Sequence, residues 1–215
     1  YHAGVFASLA KCYCAPTWVA GISIGAINAA LVTGNPPATR VARLREFWDL
    51  VTSGAPAPLV APPWGARETL NESSASQALL FGVPGFFKPR FPPAPFQPRG
   101  TLEAISYYDT SALQSTLERL VDFDRINAGP VRLSVGAVNV RTGNFAYFDS
   151  SRQRLDARHI MASGALPPGF APVEIDGEHY WDGGLVSNTP LQYVLDRPGK
   201  QRRVVFEVDL FAARG

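Results

Sequence analysis

The stretch from Val19 to Leu31 constrains the fold more than any other part of the chain. It reads VAGISIGAINAAL, so a short apolar run meets a helix-forming run through Gly-Ile-Ser-Ile-Gly. A G-x-S-x-G sequence between a strand and a helix is typical of a nucleophile elbow, where a sharp turn exposes the serine hydroxyl above the sheet. Gly21 and Gly25 would leave space for strained backbone and for close packing of the helix on the strand. We therefore predict that Ser23 is a nucleophile.

The helix after Ser23 adds an electrostatic reason for this assignment. Its N-terminus directs free N–H groups and the positive end of the helix dipole at the serine, where an oxyanion would develop. Ile24 N–H is the natural first donor. Because so short a motif also arises by chance, a second interpretation stays open, in which Gly21 and Gly25 only pack and Ser23 only caps the helix.

Alternating helical and extended patterns predict an α/β fold with a parallel sheet. Residues 1–11 have apolar positions at helical spacing, 17–22 form a short buried strand, and the elbow leads into a second helix. Pro36 begins a third helix that runs to about Val51. One face of that helix is apolar: Val41, Leu44, Phe47, Trp48 and Val51. Near the C-terminus, the β-branched run 203–211 predicts a further core strand.

Periodicity stops between Gly54 and Gly100, where proline and aromatic residues dominate and a short helix is predicted over 73–81. Low charge and many aromatic side chains argue against a solvated linker. Two interpretations remain: a proline-stiffened coil packed over the sheet edge, or a lid that binds an acyl chain. The second interpretation predicts that Phe86, Phe87 or Phe91 faces a pocket leading to Ser23.

Two hairpins are predicted in the second half of the chain, and the second one ends at a candidate base for Ser23. Short turn sequences separate the predicted strands, which are 131–140 with 144–149 and 174–175 with 179–181. The second hairpin ends at Asp182-Gly183-Gly184, and the two glycines would let the carboxylate approach another loop closely. If Asp182 meets Ser23, Ser23 Oγ and a carboxylate oxygen should lie about 2.6–3.5 Å apart. Asp-Gly pairs also occur in purely structural turns.

Long segments around both candidates resemble the patatin-like phospholipases, a family of lipid acyl hydrolases with a Ser-Asp dyad. They are HAGVFASLAK with VAGISIGAINAAL, and ASGALPPGFAPVEIDGEHYWDGGLVSNTP. GNPPATRVARLREFWDL and DLFAARG resemble a bacterial subset of this family in which a further C-terminal region follows.

The resemblance implies a fold and a set of roles. From the length of the chain we expect one domain over residues 1–215, with 54–100 as an insertion or lid within it. The resemblance implies a three-layer α/β/α fold with a mostly parallel central sheet. It makes Ser23 and Asp182 catalytic. Ile24 and four glycines are expected at the oxyanion site or in the turns beside it: Gly21, Gly25, Gly183 and Gly184. The resemblance places the family's glycine-rich oxyanion loop and the strand before it upstream of Tyr1.

The function expected from these features is hydrolysis of a lipid or other acyl ester through an acyl-enzyme, without metal or cofactor. A Ser-His-Asp esterase is the chemical alternative. It fits less well because the α/β-hydrolase order is serine, acid, histidine, whereas His2, His159 and His179 all precede Asp182. A catalytically silent acyl-binding or interaction module on the same fold is the second alternative.

Composition limits the kinds of partner and the cellular location that we expect for the protein. A net charge of +2 and one basic cluster at 197–203 are too little for a nucleic-acid surface. No apolar run reaches the roughly 18 residues that would span a bilayer, and no signal-peptide pattern opens the chain. Cys12 and Cys14 are too close for an ordinary disulfide, and we expect buried thiols. A soluble, cytoplasmic protein is favoured, with peripheral contact to a membrane left open.

Overall fold

The computed structural model describes residues 1–12, 14–54, 78–196 and 204–209. The helices named below are α1 (His2–Lys11), α2 (Ile24–Thr33), α3 (Arg40–Thr52), α4 (Ser111–Leu120), α5 (Phe123–Ala128), α6 (Ala157–Ser163) and α7 (Leu191–Leu195). The strands are β1 (Trp18–Ile22), β2 (Lys88–Pro89), β3 (Tyr108–Asp109), β4 (Arg132–Asn139), β5 (Phe145–Asp149), β6 (Val173–Ile175) and β7 (Glu178–Asp182). Short 3-10 turns cover Ala94–Phe96, Leu102–Ile105 and Gly183–Leu185.

Strand β4 organises the central sheet because three other strands pair with it. β1 runs parallel to it along 132–136, and β7 runs antiparallel along 137–139. β5 pairs antiparallel with 134–138, a stretch that overlaps both partners, and so it occupies the opposite edge of β4. β1 and β7 therefore share one edge and meet end to end beside Gly136 and Ala137.

The layered α/β fold class predicted from the sequence is confirmed. Parallel pairing joins β1 to β4, the two strands separated by helices α2 to α5 and a long connection. The pairs β4–β5 and β6–β7 are antiparallel hairpins because their connections are too short for a crossover. Among the described strands, antiparallel pairs thus extend the sheet from the parallel pair β1–β4, and Ser23 follows directly after β1.

Helices cover both faces of the sheet. On one face α2 packs against β1 and β4, and α6 packs against β4, β6 and β7. On the other face the ring of Tyr193 from α7 stacks on Tyr147 with centroids 3.7 Å apart and meets Trp18 edge-on. Helix α2 is buried from Ala26 to Thr33. Its small and aliphatic residues allow this burial, since a helix that is apolar all round is stable only inside a core.

The buried carboxylate of Asp149 joins α7 to the face of the sheet that this helix covers. Asp149 is fully buried and accepts hydrogen bonds from Arg132 Nε (2.9 Å), Ser134 Oγ (2.8 Å) and Tyr193 OH (2.8 Å). Burial alone would raise the pKa of Asp149, but hydrogen bonds from Arg132, Ser151 and Ser134 hold it well below its usual range. Ser134 also accepts from Trp18 Nε1 at 2.8 Å.

Several sequence predictions need correction. Helix α3 begins at Arg40 rather than at Pro36. Cys12 and Cys14 are exposed, because they follow the end of α1 in the connection to β1 rather than packing under it. Residues 204–209 are not a strand, and Val204 is 82% exposed. Residues 78–81 are helical, whereas the predicted helix start and about half of the predicted lid, residues 55–77, lie outside the described residues.

Candidate active site

Ser23 occupies a strained turn between β1 and α2. Its φ of 54° and ψ of −124° lie in a region that non-glycine residues rarely adopt, at a cost of about 1–3 kcal/mol. The surrounding structure must hold such a residue in place. Here Ser23 N–H donates to two oxygens of Ser163, the carbonyl at 3.1 Å and the hydroxyl at 3.0 Å.

Asp182 lies at the end of β7 and is directly bonded to Ser23. Ser23 Oγ donates to Asp182 Oδ2 at 2.7 Å, within the range expected from the sequence. The other carboxylate oxygen accepts from Gly184 N at 2.7 Å, and Asp182 N donates to Ala165 O at 2.9 Å. Asp182 is only 3% exposed. Its carboxylate is therefore fixed on both oxygens before any substrate binds.

Burial makes this carboxylate a stronger base than an ordinary aspartate. Loss of solvation raises the pKa of Asp182, and the hydrogen bonds from Ser23 and Gly184 offset only part of that rise. A raised pKa brings a carboxylate nearer to the range in which it can take a proton from a hydroxyl.

The shared edge of β4 explains why Ser23 and Asp182 meet although they are distant in sequence. β1 ends at Ile22, which pairs with Gly136, and β7 ends at Asp182, which pairs with Ala137. The C-terminal ends of β1 and β7 thus lie beside neighbouring residues of β4. A Cβ atom at Gly183 would lie 2.7 Å from Gly136 O and 2.9 Å from Ile22 Cγ2, so this close approach requires glycine.

The glycines predicted at the turn have different roles. A Cβ atom at Gly21 would collide with the backbone carbonyl of Gly25 and lie 2.6 Å from Ala26 N, so Gly21 lets α2 pack on β1. A Cβ atom at Gly25 would meet nothing within 4 Å. Gly25 therefore lies open beside Ser23, where its N–H and that of Ile24 have no acceptor within the helix. Gly184 binds the Asp182 carboxylate.

The three histidines make their contacts elsewhere. His2 Nδ1 lies 3.1 Å from Asn28 Nδ2, and His159 Nδ1 lies 3.0 Å from Asp156 N in a capping box at the start of α6. His179 faces Glu174 across the β6–β7 hairpin, three residues before Asp182, or about 10 Å along a strand. None of these contacts supports a histidine between Ser23 and Asp182.

An apolar cavity opens next to the serine turn. It has a volume of about 200 Å³ and is lined by Ile24, Phe47, Trp48, Val51, Val83, Phe86 and Phe87. A second cavity of about 410 Å³ shares Val51, Val83 and Phe87 with it, so the two are adjacent. Phe91 does not contribute, because it is 94% exposed beyond β2. Phe86 and Phe87 thus line a cavity that includes Ile24, the residue after Ser23, whereas Phe91 lines neither cavity. That this segment acts as a lid stays a prediction.

Two features of the site were not found from the sequence. Ser163 contacts Ser23, and Asn28 joins α2 to the cavity wall, since Trp48 Nε1 donates to Asn28 Oδ1 at 3.0 Å. A serine at the end of a helix and an asparagine inside one carry no local signal for these contacts. In the part of the chain that the structure describes, no group of three or more His, Cys, Asp or Glu side chains is arranged to hold a metal ion.

Fold and site together define a mixed α/β protein in which a strained serine between a strand and a helix is bonded to a buried carboxylate. The chain belongs to the patatin-like phospholipase family, whose model matches residues 1–195. This family implies lipid acyl hydrolase activity. None of the described helices is long and apolar enough to cross a bilayer.

No curated protein matches the chain. Among solved structures, VipD from Legionella pneumophila is similar with a TM-score of 0.45 and 16% identity, covering 88% of this chain and 44% of the VipD chain. The chain thus spans less than half the length of that protein.

Proposed function

We propose that the protein is a serine acyl hydrolase that uses Ser23 and Asp182 as a catalytic dyad. The observation that carries this proposal is the 2.7 Å hydrogen bond from Ser23 Oγ to Asp182 Oδ2 at a strained turn. Family membership supports the reaction class. The direct test is labelling of the full-length protein with a fluorophosphonate probe, which should modify Ser23. A silent binding module would show no labelling.

The proposed reaction has two halves. Ser23 Oγ attacks the carbonyl carbon of the ester while Asp182 takes the hydroxyl proton, and that proton then passes to the leaving alcohol. Water enters, gives a proton to Asp182 and attacks the acyl-enzyme, and Ser23 regains its proton as the fatty acid leaves. One carboxylate serves both halves because it stays within hydrogen-bond reach of Ser23.

The oxyanion of each tetrahedral intermediate would face the start of α2. Ile24 and Gly25 supply N–H groups without acceptors within the helix, and the positive end of the helix dipole reinforces them. One such donor contributes about 3–4 kcal/mol to transition-state stabilisation. Because Gly25 has no side chain and open space beside it, a substrate oxygen can reach its backbone.

The cavity beside Ile24 suggests the form of the substrate. Its walls are aromatic and aliphatic side chains, and it joins a larger cavity between α3 and residues 78–88. An acyl chain attached to Ser23 could enter this space and gain stabilisation from burial of its methylenes, at about 0.8 kcal/mol each. We therefore propose esters with an extended acyl chain as substrates.

Replacing Phe87 with Glu should reduce hydrolysis of a palmitate ester about tenfold more than hydrolysis of a butyrate ester. Only the longer acyl chain should contact the part of the cavity wall that the glutamate makes charged. The measurement is kcat/KM for both esters. Phe91→Glu is the matched control, since Phe91 is exposed and lines neither cavity. Equal losses on both esters in Phe87→Glu, with an unchanged Tm, would instead favour the scaffold interpretation of this segment.

As the pH is lowered, kcat/KM should begin to fall at a pH above the ordinary pKa range of an aspartate. The reaction needs ionised Asp182, and burial raises the pKa of that group. Activity is therefore full above the raised pKa and is lost as the pH falls through it. This fall should occur at the same pH in His159→Gln and His179→Gln. If either variant removes or shifts it, a histidine and not Asp182 controls the proton transfer.

A further inference from the structure

The last residue of α6 and the short segment after it contact both members of the dyad. Ser163 is fully buried, and its carbonyl and hydroxyl oxygens both accept from Ser23 N. Two residues later, Ala165 O accepts from Asp182 N. The ends of β1 and β7 are thus joined to one short piece of chain as well as to β4.

The Ser163 hydroxyl is the side-chain part of this arrangement. It donates to Gly136 O at 2.6 Å and accepts from Ser23 N at 3.0 Å. Gly136 lies where β1 and β7 meet, so a single hydroxyl ties the strained residue to the central strand. Nothing in the proposed chemistry uses this hydroxyl, because it faces the backbone of Ser23 and not its Oγ.

We propose that Ser163 is a positioning residue, whose hydroxyl holds the backbone of Ser23 so that its Oγ stays aligned with Asp182. This inference rests on the proposed function of the dyad. The positive φ of Ser23 is the reason that such a restraint is needed, since an unsupported residue would relax out of this conformation. The carbonyl of Ser163 remains as a second acceptor, so loss of the hydroxyl loosens the turn without releasing it.

Ser163→Ala should lower the rate of fluorophosphonate labelling about 10- to 100-fold, as expected when a nucleophile is displaced by a fraction of an ångström to an ångström. In this reaction Ser23 Oγ bonds to phosphorus, fluoride leaves and Asp182 takes the proton. With a soluble ester, kcat should fall by a similar factor while KM changes little, because substrate binding does not involve Ser163.

Ser134→Ala is a closely matched control. Ser134 is also fully buried, lies on β4, and makes one accepted and one donated hydrogen bond, but it faces the opposite side of the sheet. Both variants should lose thermal stability, and only Ser163→Ala should lose labelling rate. Equal labelling rates in the two variants would overturn the positioning role.

Failure of the inference can be told apart from failure of the proposed function. If the unmodified full-length protein is not labelled at Ser23, the dyad proposal itself fails. If it is labelled and Ser163→Ala reacts as fast as Ser134→Ala, the dyad stands and the positioning role does not. Ser163→Thr, which keeps a hydroxyl, should react faster than Ser163→Ala provided that it melts at a similar temperature, and a slower rate would contradict the role of the hydroxyl.

Discussion

Asp182→Asn should lower kcat/KM for a soluble ester nearly as far as Ser23→Ala does, by about 10³-fold or more, because a nucleophile and its base act as a unit. The amide keeps the shape of the carboxylate and can still contact Ser23 Oγ, which lies 2.7 Å from Oδ2 in the unaltered protein. It is not basic enough to take the hydroxyl proton. The measurement is steady-state hydrolysis by the full-length protein, with melting curves to verify folding.

His159→Gln and His179→Gln serve as controls for this experiment. Each should retain most of the activity, since His159 completes a capping box and His179 lies in a hairpin. A Ser-His-Asp mechanism makes the opposite prediction, because its imidazole must both take the proton and return it to the leaving group. The dyad is wrong if one histidine variant is as inactive as Ser23→Ala while Asp182→Asn remains active.

Gly21→Ala and Gly25→Ala should differ sharply although both glycines belong to the same pentapeptide. A methyl group at Gly21 would enter the backbone of α2 at Gly25 and Ala26, and rigid backbone cannot move aside as a flexible side chain can. We expect a loss of about 2–3 kcal/mol in the free energy of unfolding, at the upper end of overpacking effects. Denaturant unfolding of the full-length protein measures this loss.

Gly25→Ala should leave the free energy of unfolding unchanged or raise it by up to about 1 kcal/mol. Its new methyl group would meet nothing within 4 Å, and alanine favours helix over glycine. A similar destabilisation of both variants would show that the helix and strand are not packed as described.

The elements of the site could be predicted from the sequence because each has a local signal. Gly-Ile-Ser-Ile-Gly between an extended and a helical pattern marks the turn, and Asp182-Gly183-Gly184 ends a hairpin whose own turn is recognisable. Nothing in these patterns shows that β1 and β7 share one edge of β4. The resemblance to a known family, rather than the spacing of residues, supported the expectation that Asp182 meets Ser23, and the shared edge of β4 was not predicted.

Features that depend on tertiary packing could not be predicted from the sequence. Phe87 and Phe91 occur in the same kind of aromatic and proline-rich surroundings, yet Phe87 packs against Tyr108 and Phe170 whereas Phe91 is exposed. The prediction that Cys12 and Cys14 are buried rests on the usual burial of free thiols, but both lie at the surface after the end of α1. Ser163 is important only because its neighbour in space is Ser23.

The end-to-end meeting of β1 and β7 also sets the order of events during synthesis. Ser23 and Asp182 are 159 positions apart, and both depend on β4 between them in the sequence. Pairing of β1 with β4 needs only the chain up to β4, whereas Ser163, which restrains the serine turn, and Asp182 emerge later. We therefore expect the Ser23–Asp182 hydrogen bond to form late, when the hairpin of β6 and β7 pairs with β4.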